Sequence, residues 1–438
     1  MKNHMKGYMF YIAFVASIAG FLFGFDTAVI SGAEKTIQSL YALGNFSHGF
    51  TMATALIGTI VGALLSGNPT ERYGRLPSLR VIAVLFFVSA LGSALIINWY
   101  SFLFFRFMGG LAIGAASVVG PIYIAEFSPA RWRGRFVVFF QFNLVLGIVI
   151  AYLSNFCISG IPNDWQWMLG VCSIPALALF VLLFTVPESP RWLIHHSMEE
   201  KAYATLLKIG ETQIDGKIAE IKQSLVSTNA PEGKLFQKKY RKPILIAFLI
   251  STFNQLAGIN AVLYYAPRIF ELSGVFHDGA LYQSIFIGLT NLTFTMLGMF
   301  FIDKVGRKKL IYIGSVGMFV ALSLVSYGFY AEKFAGYYML ICLMCFIAFF
   351  AISLGATILV VIAEVFPNSI RSKGQVMGIM THWIWAALLT WFFPVFLSIG
   401  GTYIFGFFAV AVLCSLFFAI WMPETHNKSL EQIQKELT

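Results

Sequence analysis

The chain has 438 residues and a formal net charge of +10, yet only 11% of its residues are charged and 58% are apolar. A soluble domain carries about 25% charged residues, so this composition excludes an ordinary soluble enzyme and points into a bilayer. Five cysteines (Cys157, Cys172, Cys342, Cys345, Cys414) lie in or at the ends of apolar runs, so no disulfide framework is expected.

Twelve apolar runs approach or exceed the ~20 residues a helix needs to cross a membrane. They cover 8–30, 48–68, 79–97, 101–127, 135–157, 165–186, 244–272, 280–302, 309–329, 337–366, 374–397 and 402–421. The first follows Met1 to Lys6, is too long for a cleavable leader and lacks a small-residue cleavage site, so it reads as a span. All but four of the 30 Lys and Arg (Lys35, Arg106, Arg268, Lys333) fall in segments on one side, with both termini there. By the positive-inside rule that side is the cytoplasm. The basic balance thus reports topology, and no nucleic-acid partner is implied.

Charges within spans are few, and such charges are costly enough to be functional or paired. Asp26 comes late in the first span, which runs outward; Arg106 comes early in the fourth, which runs inward. The two therefore lie at comparable depth. An arginine partner keeps a buried carboxylate ionised and burial alone does not, so the pair reads either as a proton switch or as a static ion pair.

After the second span comes Glu71-Arg72-Tyr73-Gly74-Arg75, and after the eighth comes Asp303-Lys304-Val305-Gly306-Arg307. Glu126, followed by Arg133, closes the fourth span; Glu364, followed by Arg371, closes the tenth. Pro187-Glu188-Ser189 and Pro423-Glu424-Thr425 follow the sixth and twelfth. These offsets of 232, 238 and 236 residues make the chain two parallel six-span halves. The expected division is 1–186, a linker 187–243 with short helices at Met198–Ile209 and Gln213–Val226, a second half 244–421 and a tail 422–438. Glu71, Arg72, Arg75, Glu126, Arg133, Asp303, Arg307, Glu364 and Arg371 are expected to form charge networks that close the cytoplasmic face.

The other polar residues at mid-span are amides, an imidazole and an indole: Gln141, Asn254, Gln255, Asn260, Asn291, His382 and Trp383. Amides donate and accept, as sugar hydroxyls do. As a set they suit a neutral polyhydroxy ligand, and Gly258 between Gln255 and Asn260 is expected to break the seventh helix there. The remaining histidines are scattered, with His48 and His426 read as loop or terminal residues. Neither a metal site nor a catalytic cluster is indicated, and the chain is not read as an enzyme.

These motifs resemble the sugar porter family of the major facilitator superfamily across essentially the whole chain. The resemblance rests on Gly24-Phe25-Asp26-Thr27-Ala28-Val29-Ile30-Ser31-Gly32, the paired loops above and Arg106-Phe107-Met108-Gly109-Gly110. It rests further on Pro187-Glu188-Ser189-Pro190-Arg191-Trp192-Leu193, Gln255-Leu256-Ala257-Gly258-Ile259-Asn260 and Tyr264-Tyr265-Ala266-Pro267. It implies an all-α fold of twelve helices in two halves related by a pseudo-twofold axis. It also implies alternating access, with a proton as coupling ion and no other cofactor. The short loops suggest a bacterial inner membrane, and a monomer is expected. The resemblance assigns proton coupling to Asp26 with Arg106, sugar contacts to the amides, and aromatic closure to Phe23, Phe350 and Trp383. The chain departs from the family at Asn254 for a glutamine, at Gly355-Ala356-Thr357-Ile358-Leu359 for GPxxW, at His382 for an amide and at Ala386 for an asparagine. A polyol symporter, a passive facilitator and a non-transporting sensor stay open as alternatives.

Overall fold

The computed structural model describes residues 2–95, 98–128, 133–211, 213–227, 235–332, 334, 336–367, 370–426, 428 and 432–433. Among them twelve helices are long and apolar enough to cross a membrane. They are Gly7–Leu40, Asn45–Leu65, Arg75–Leu95, Trp99–Phe127, Gly134–Ile158, Asp164–Leu182, Lys238–Leu272, His277–Val305, Arg307–Ala331, Tyr338–Val365, Arg371–Ile399 and Gly401–Trp421. We call them the first to the twelfth span. The protein is all-α, multi-pass and built of two pseudo-symmetric halves.

Most ends agree with the apolar runs to within a few residues. The first span does not: its helix continues ten residues past the run, through Glu34 and Lys35, to Leu40. Both charges are paired, so they do not stop the helix. His48, read as a loop residue, instead lies in the first turns of the second span and is completely buried. The short helices of the linker are Glu199–Lys208 and Ile214–Ser227, preceded by Pro190–His195, where the Ser189 side chain caps the Trp192 amide.

Packing divides the chain into two compact units. The first comprises Met1–Thr27, Ile57–Ala151 and Gln166–Pro231; the second comprises Ala28–Leu56, Tyr152–Trp165 and Glu232–Thr438. In the first unit, spans meet through glycines. A Cβ on Gly24 would lie 1.8 Å from the Leu144 carbonyl oxygen, and one on Gly114 would lie 2.1 Å from that of Thr59. Small residues let backbones approach this closely where lipid offers no hydrophobic drive. In the second unit, Ser315 and Ser415 join the ninth and twelfth spans at 2.8 Å.

Two spans deviate from regular helix. The seventh breaks at Gly258, which holds φ +87° between helices Arg241–Leu256 and Ile259–Leu272. The tenth contains a π-helical turn at Ala351–Gly355, directly before Ala356, the position where the family motif would carry a proline. A π-turn leaves carbonyls unpaired within the helix, and the Leu354 carbonyl accepts from Asn254 Nδ2 at 3.0 Å.

Candidate functional site

Asp26 and Arg106 meet in the first unit. Arg106 Nη1 donates to Asp26 Oδ1 at 2.9 Å, and the two side chains are 2% and 6% exposed for Arg106 and Asp26. The pair is half satisfied: Asp26 Oδ2, Arg106 Nε and Arg106 Nη2 have no hydrogen-bond partner among the described residues. Gly109 makes room beside the carboxylate, since a Cβ there would lie 2.5 Å from Ser89 Oγ and 3.8 Å from Asp26 Oδ2. Ser89 Oγ is already committed to the Phe105 carbonyl. A buried charge pair with orphaned atoms is a high-stakes arrangement, sensitive to any change in its charge state.

The amides of the seventh span gather in the second unit. Gly258 ends one helix, so Gln255 and Asn260 fall on either side of the break and their side chains converge. Asn260 Nδ2 donates to Gln255 Oε1 at 2.7 Å; Gln255 Nε2 lies 3.2 Å from Asn254 Oδ1 and 3.2 Å from the His382 ring nitrogens. Trp383 stands edge-on to His382, with centroids 5.1 Å apart. Asn254 and Gln255 are buried, whereas Asn260, His382 and Trp383 are half-buried. Asn254 spends its N–H on the π-turn, so it ties the seventh span to the tenth rather than presenting a free amide.

Of the other expected site residues in that unit, Asn291 is buried and accepts from Thr295, and Phe350 packs on Phe346. Phe23 and Gln141 belong to the first unit and are half-buried. Within the amide cluster the groups are neutral donors and acceptors beside an indole, a set matched to hydroxyls.

The paired loop motifs form one charge arrangement built twice. In the first unit, Arg75 binds Glu126 through Nε and Nη2, with the shortest contact at 2.8 Å. In the second, Arg307 Nη2 lies 2.9 Å from Glu364 and 3.1 Å from Asp303. Gly74 and Gly306 turn the chain with φ of +107° and +95°, which exposes the amides that follow them. Glu188 accepts from the Arg75 and Leu76 amides, and Glu424 from those of Arg307 and Lys308. Carboxylates at helix N-termini satisfy orphan amides and oppose the positive end of the helix dipole.

Glu188 and Glu424 were therefore missed as charge-network residues, although the repeated Pro-Glu-Ser/Thr tripeptide marked their positions. Burial pushes the Glu188 carboxyl up, against the downward pull of the Ser189, Leu76 and Arg75 amides and the Arg75 charge. Glu71 and Arg72 are exposed; Glu71 contributes its carbonyl to Trp192 Nε1 at 2.7 Å, and Arg72 lies over the Tyr73 ring. Arg371 Nε donates to the Phe366 carbonyl. The Arg133 side chain and all of Arg131 lie outside the described residues.

The family profile described as "Sugar (and other) transporter" matches residues 12–437. The arabinose-proton symporter of Bacillus subtilis is 36% identical over 447 residues, covering 99% of this chain and 96% of that protein. The D-xylose-proton symporter of Escherichia coli is 36% identical over 476 residues, with the same coverage. A solved inward-open structure of the E. coli xylose transporter superposes with a TM-score of 0.88, covering 98% of this chain and 100% of that one at 36% identity. Its complex with 6-bromo-6-deoxy-D-glucose gives 0.80 at 35% identity, covering 99% of this chain and 100% of that one. Twelve spans in two repeated halves, the duplicated charge motif and end-to-end similarity converge: the chain belongs to the sugar porter family of the major facilitator superfamily.

Proposed function

We propose that the protein is a proton-coupled symporter that imports a monosaccharide, a pentose or hexose, by alternating access. The observation that carries the coupling is the buried, half-satisfied Asp26–Arg106 pair. A proton on Asp26 cancels the charge that holds Arg106, whose two other nitrogens already lack partners. Removing one charge from a buried pair leaves the other uncompensated, at a cost of about 3–5 kcal/mol. That cost makes the protonated and ionised forms prefer different packings of the first and fourth spans, which is what coupling requires.

The amide cluster supplies the sugar site. Gln255, Asn260 and His382 hold one another, and a ligand with several hydroxyls can take over these bonds one for one. Trp383 and Phe350 offer aromatic faces, and Asn291 a further amide. The Arg75–Glu126 and Arg307–Glu364 pairs serve as cytoplasmic gate staples, with Arg133, Arg371, Glu71, Arg72 and Asp303 around them. The chain lies in a bacterial inner membrane with both termini in the cytoplasm. Its moving bodies are 1–186 and 244–421, joined by the linker 187–243. Relatives named as arabinose-, xylose- and glucose-transporting proteins support the substrate class.

Uptake of labelled D-xylose, L-arabinose and D-glucose into proteoliposomes, with and without an inside-alkaline pH gradient, tests the proposal. The wild type is expected to accumulate at least one of these sugars above equilibrium only with the gradient. Asp26→Asn is expected to lose that accumulation. Accumulation that persists in Asp26→Asn overturns the coupling role.

A further inference from the structure

The second unit holds an ionisable cluster, buried at Glu34 and His48 and open at Lys35, that the scheme above leaves unused. Glu34 and Lys35, neighbours near the end of the first span, each reach an opposite charge near the end of the seventh. Arg268 Nη1 donates to Glu34 Oε2 at 3.2 Å, and Lys35 Nζ donates to Glu271 Oε2 at 2.7 Å. Glu34 Oε2 also lies 2.6 Å from His48 Nε2, at the start of the second span. The His48 and Glu34 side chains are 0% and 2% exposed. Arg268 donates as well to Gln38 Oε1 at 2.8 Å, and Gln38 Nε2 reaches the Leu43 carbonyl and Asn45 Oδ1 in the turn between the first two spans. The cluster thus ties the ends of the first and second spans to the half of the seventh that begins at Gly258 and carries Asn260.

One atom of this cluster is left over. His48 Nδ1 has no hydrogen-bond partner among the described residues, although the ring is fully buried. The ring stands edge-on to Tyr265 at 6.1 Å, and the Tyr265 hydroxyl is committed to the Thr390 carbonyl. The titratable and charged groups around the pair are Lys35 from the first span and Tyr265, Arg268 and Glu271 from the seventh. His277 and Asp278, at the start of the eighth, bind Glu271 and Ser159.

We propose that His48 and Glu34 form a second proton-binding site, separate from Asp26–Arg106, that fastens the outer ends of the first, second and seventh spans and releases them when a proton arrives from outside. This rests on the orientation and the coupling proposed above. With a single ring proton, on Nε2 and given to Glu34, the cluster is neutral: one carboxylate, one guanidinium and an uncharged imidazole. A second proton has to sit on Nδ1. It adds a net positive charge to a buried cluster and creates an N–H that has no acceptor. Both are costly in a dry site and cheap in water. The doubly protonated ring therefore favours the arrangement in which water reaches it, which is the one with the clasp apart. External protons then promote opening toward the side from which sugar is loaded.

Counterflow of labelled D-xylose in right-side-out vesicles tests this, with the inside pH held fixed and the outside stepped from about 8 to about 6. Wild-type counterflow is expected to rise about threefold or more on external acidification. His48→Gln keeps a donor for Glu34 but cannot titrate, and its profile is expected to be flat. Glu34→Gln, which leaves the histidine without its counter-charge, is expected to displace the rise. A wild-type profile in both variants, or a flat profile in the wild type, overturns the second site. Failure of the wild type to accumulate sugar under an imposed gradient overturns the coupling reading instead, whatever the outside-pH profile.

Discussion

Glu188 shows how one side chain serves two demands. Its oxygens accept from the Arg75, Leu76 and Ser189 amides, and the helix it caps begins with the arginine that binds Glu126. Burial nevertheless raises its carboxyl above the ordinary value of 4.5. A raised acid contributes stability that is complete below the unfolded value and is lost as pH rises through the folded one. Melting of the detergent-purified protein from about pH 4 to 7 should therefore show the wild type losing ground to Glu188→Gln as pH rises, because the amide does not titrate. A margin that widens with pH would contradict the direction of the shift.

Gly258 acts on a whole element. Its φ of +87° is left-handed, and a Cβ there would sit 2.5 Å from the Phe408 ring. Gly258→Ala should cost about 1–3 kcal/mol through backbone strain and overlap. It should also displace Asn260 from Gln255, with a lower melting temperature and slower sugar uptake as the readouts. The break was legible in the sequence because glycine lay between two amides in an otherwise apolar run. Span existence was legible for a simpler reason: lipid demands long apolar helices, and composition reports them directly. What composition could not report was pairing. Apolar counting ended the first span before Glu34, because a charge neutralised by a distant Arg268 looks the same in sequence as one facing water. His48 was misread on the same ground. Asn254 is next to Gln255 in sequence, but its bond to Leu354 depends on a π-turn that no local pattern announces. Among the described residues Glu126 is bound by Arg75, 51 positions earlier, which only folding brings close.

At the scale of the molecule, the +10 charge follows the order of the spans. The span order puts all but four basic residues on the side proposed to be cytoplasmic, so an epitope at either terminus should be reached by antibody only after spheroplasts are permeabilised. Detection at either end in intact spheroplasts would reverse the orientation. The two charge arrangements, Arg75 with Glu126 and Glu188, and Arg307 with Glu364 and Glu424, repeat one solution in both halves with different surrounding sequence. This recurrence is what made the two halves visible in the sequence.

The π-turn at Ala351–Gly355 carries a consequence for phase. Such a turn behaves as one extra residue threaded into an α-helix, so everything after it is rotated by about 100° relative to an uninterrupted helix. Glu364 lies nine residues beyond that turn, in the same helical run, and faces Arg307 only at its present angle. Excising Ile352 would iron out the turn, strip the Leu354 carbonyl of its role and swing Glu364 away from its arginine. A spacing defect at mid-membrane thus sets the aim of a latch at the membrane's edge.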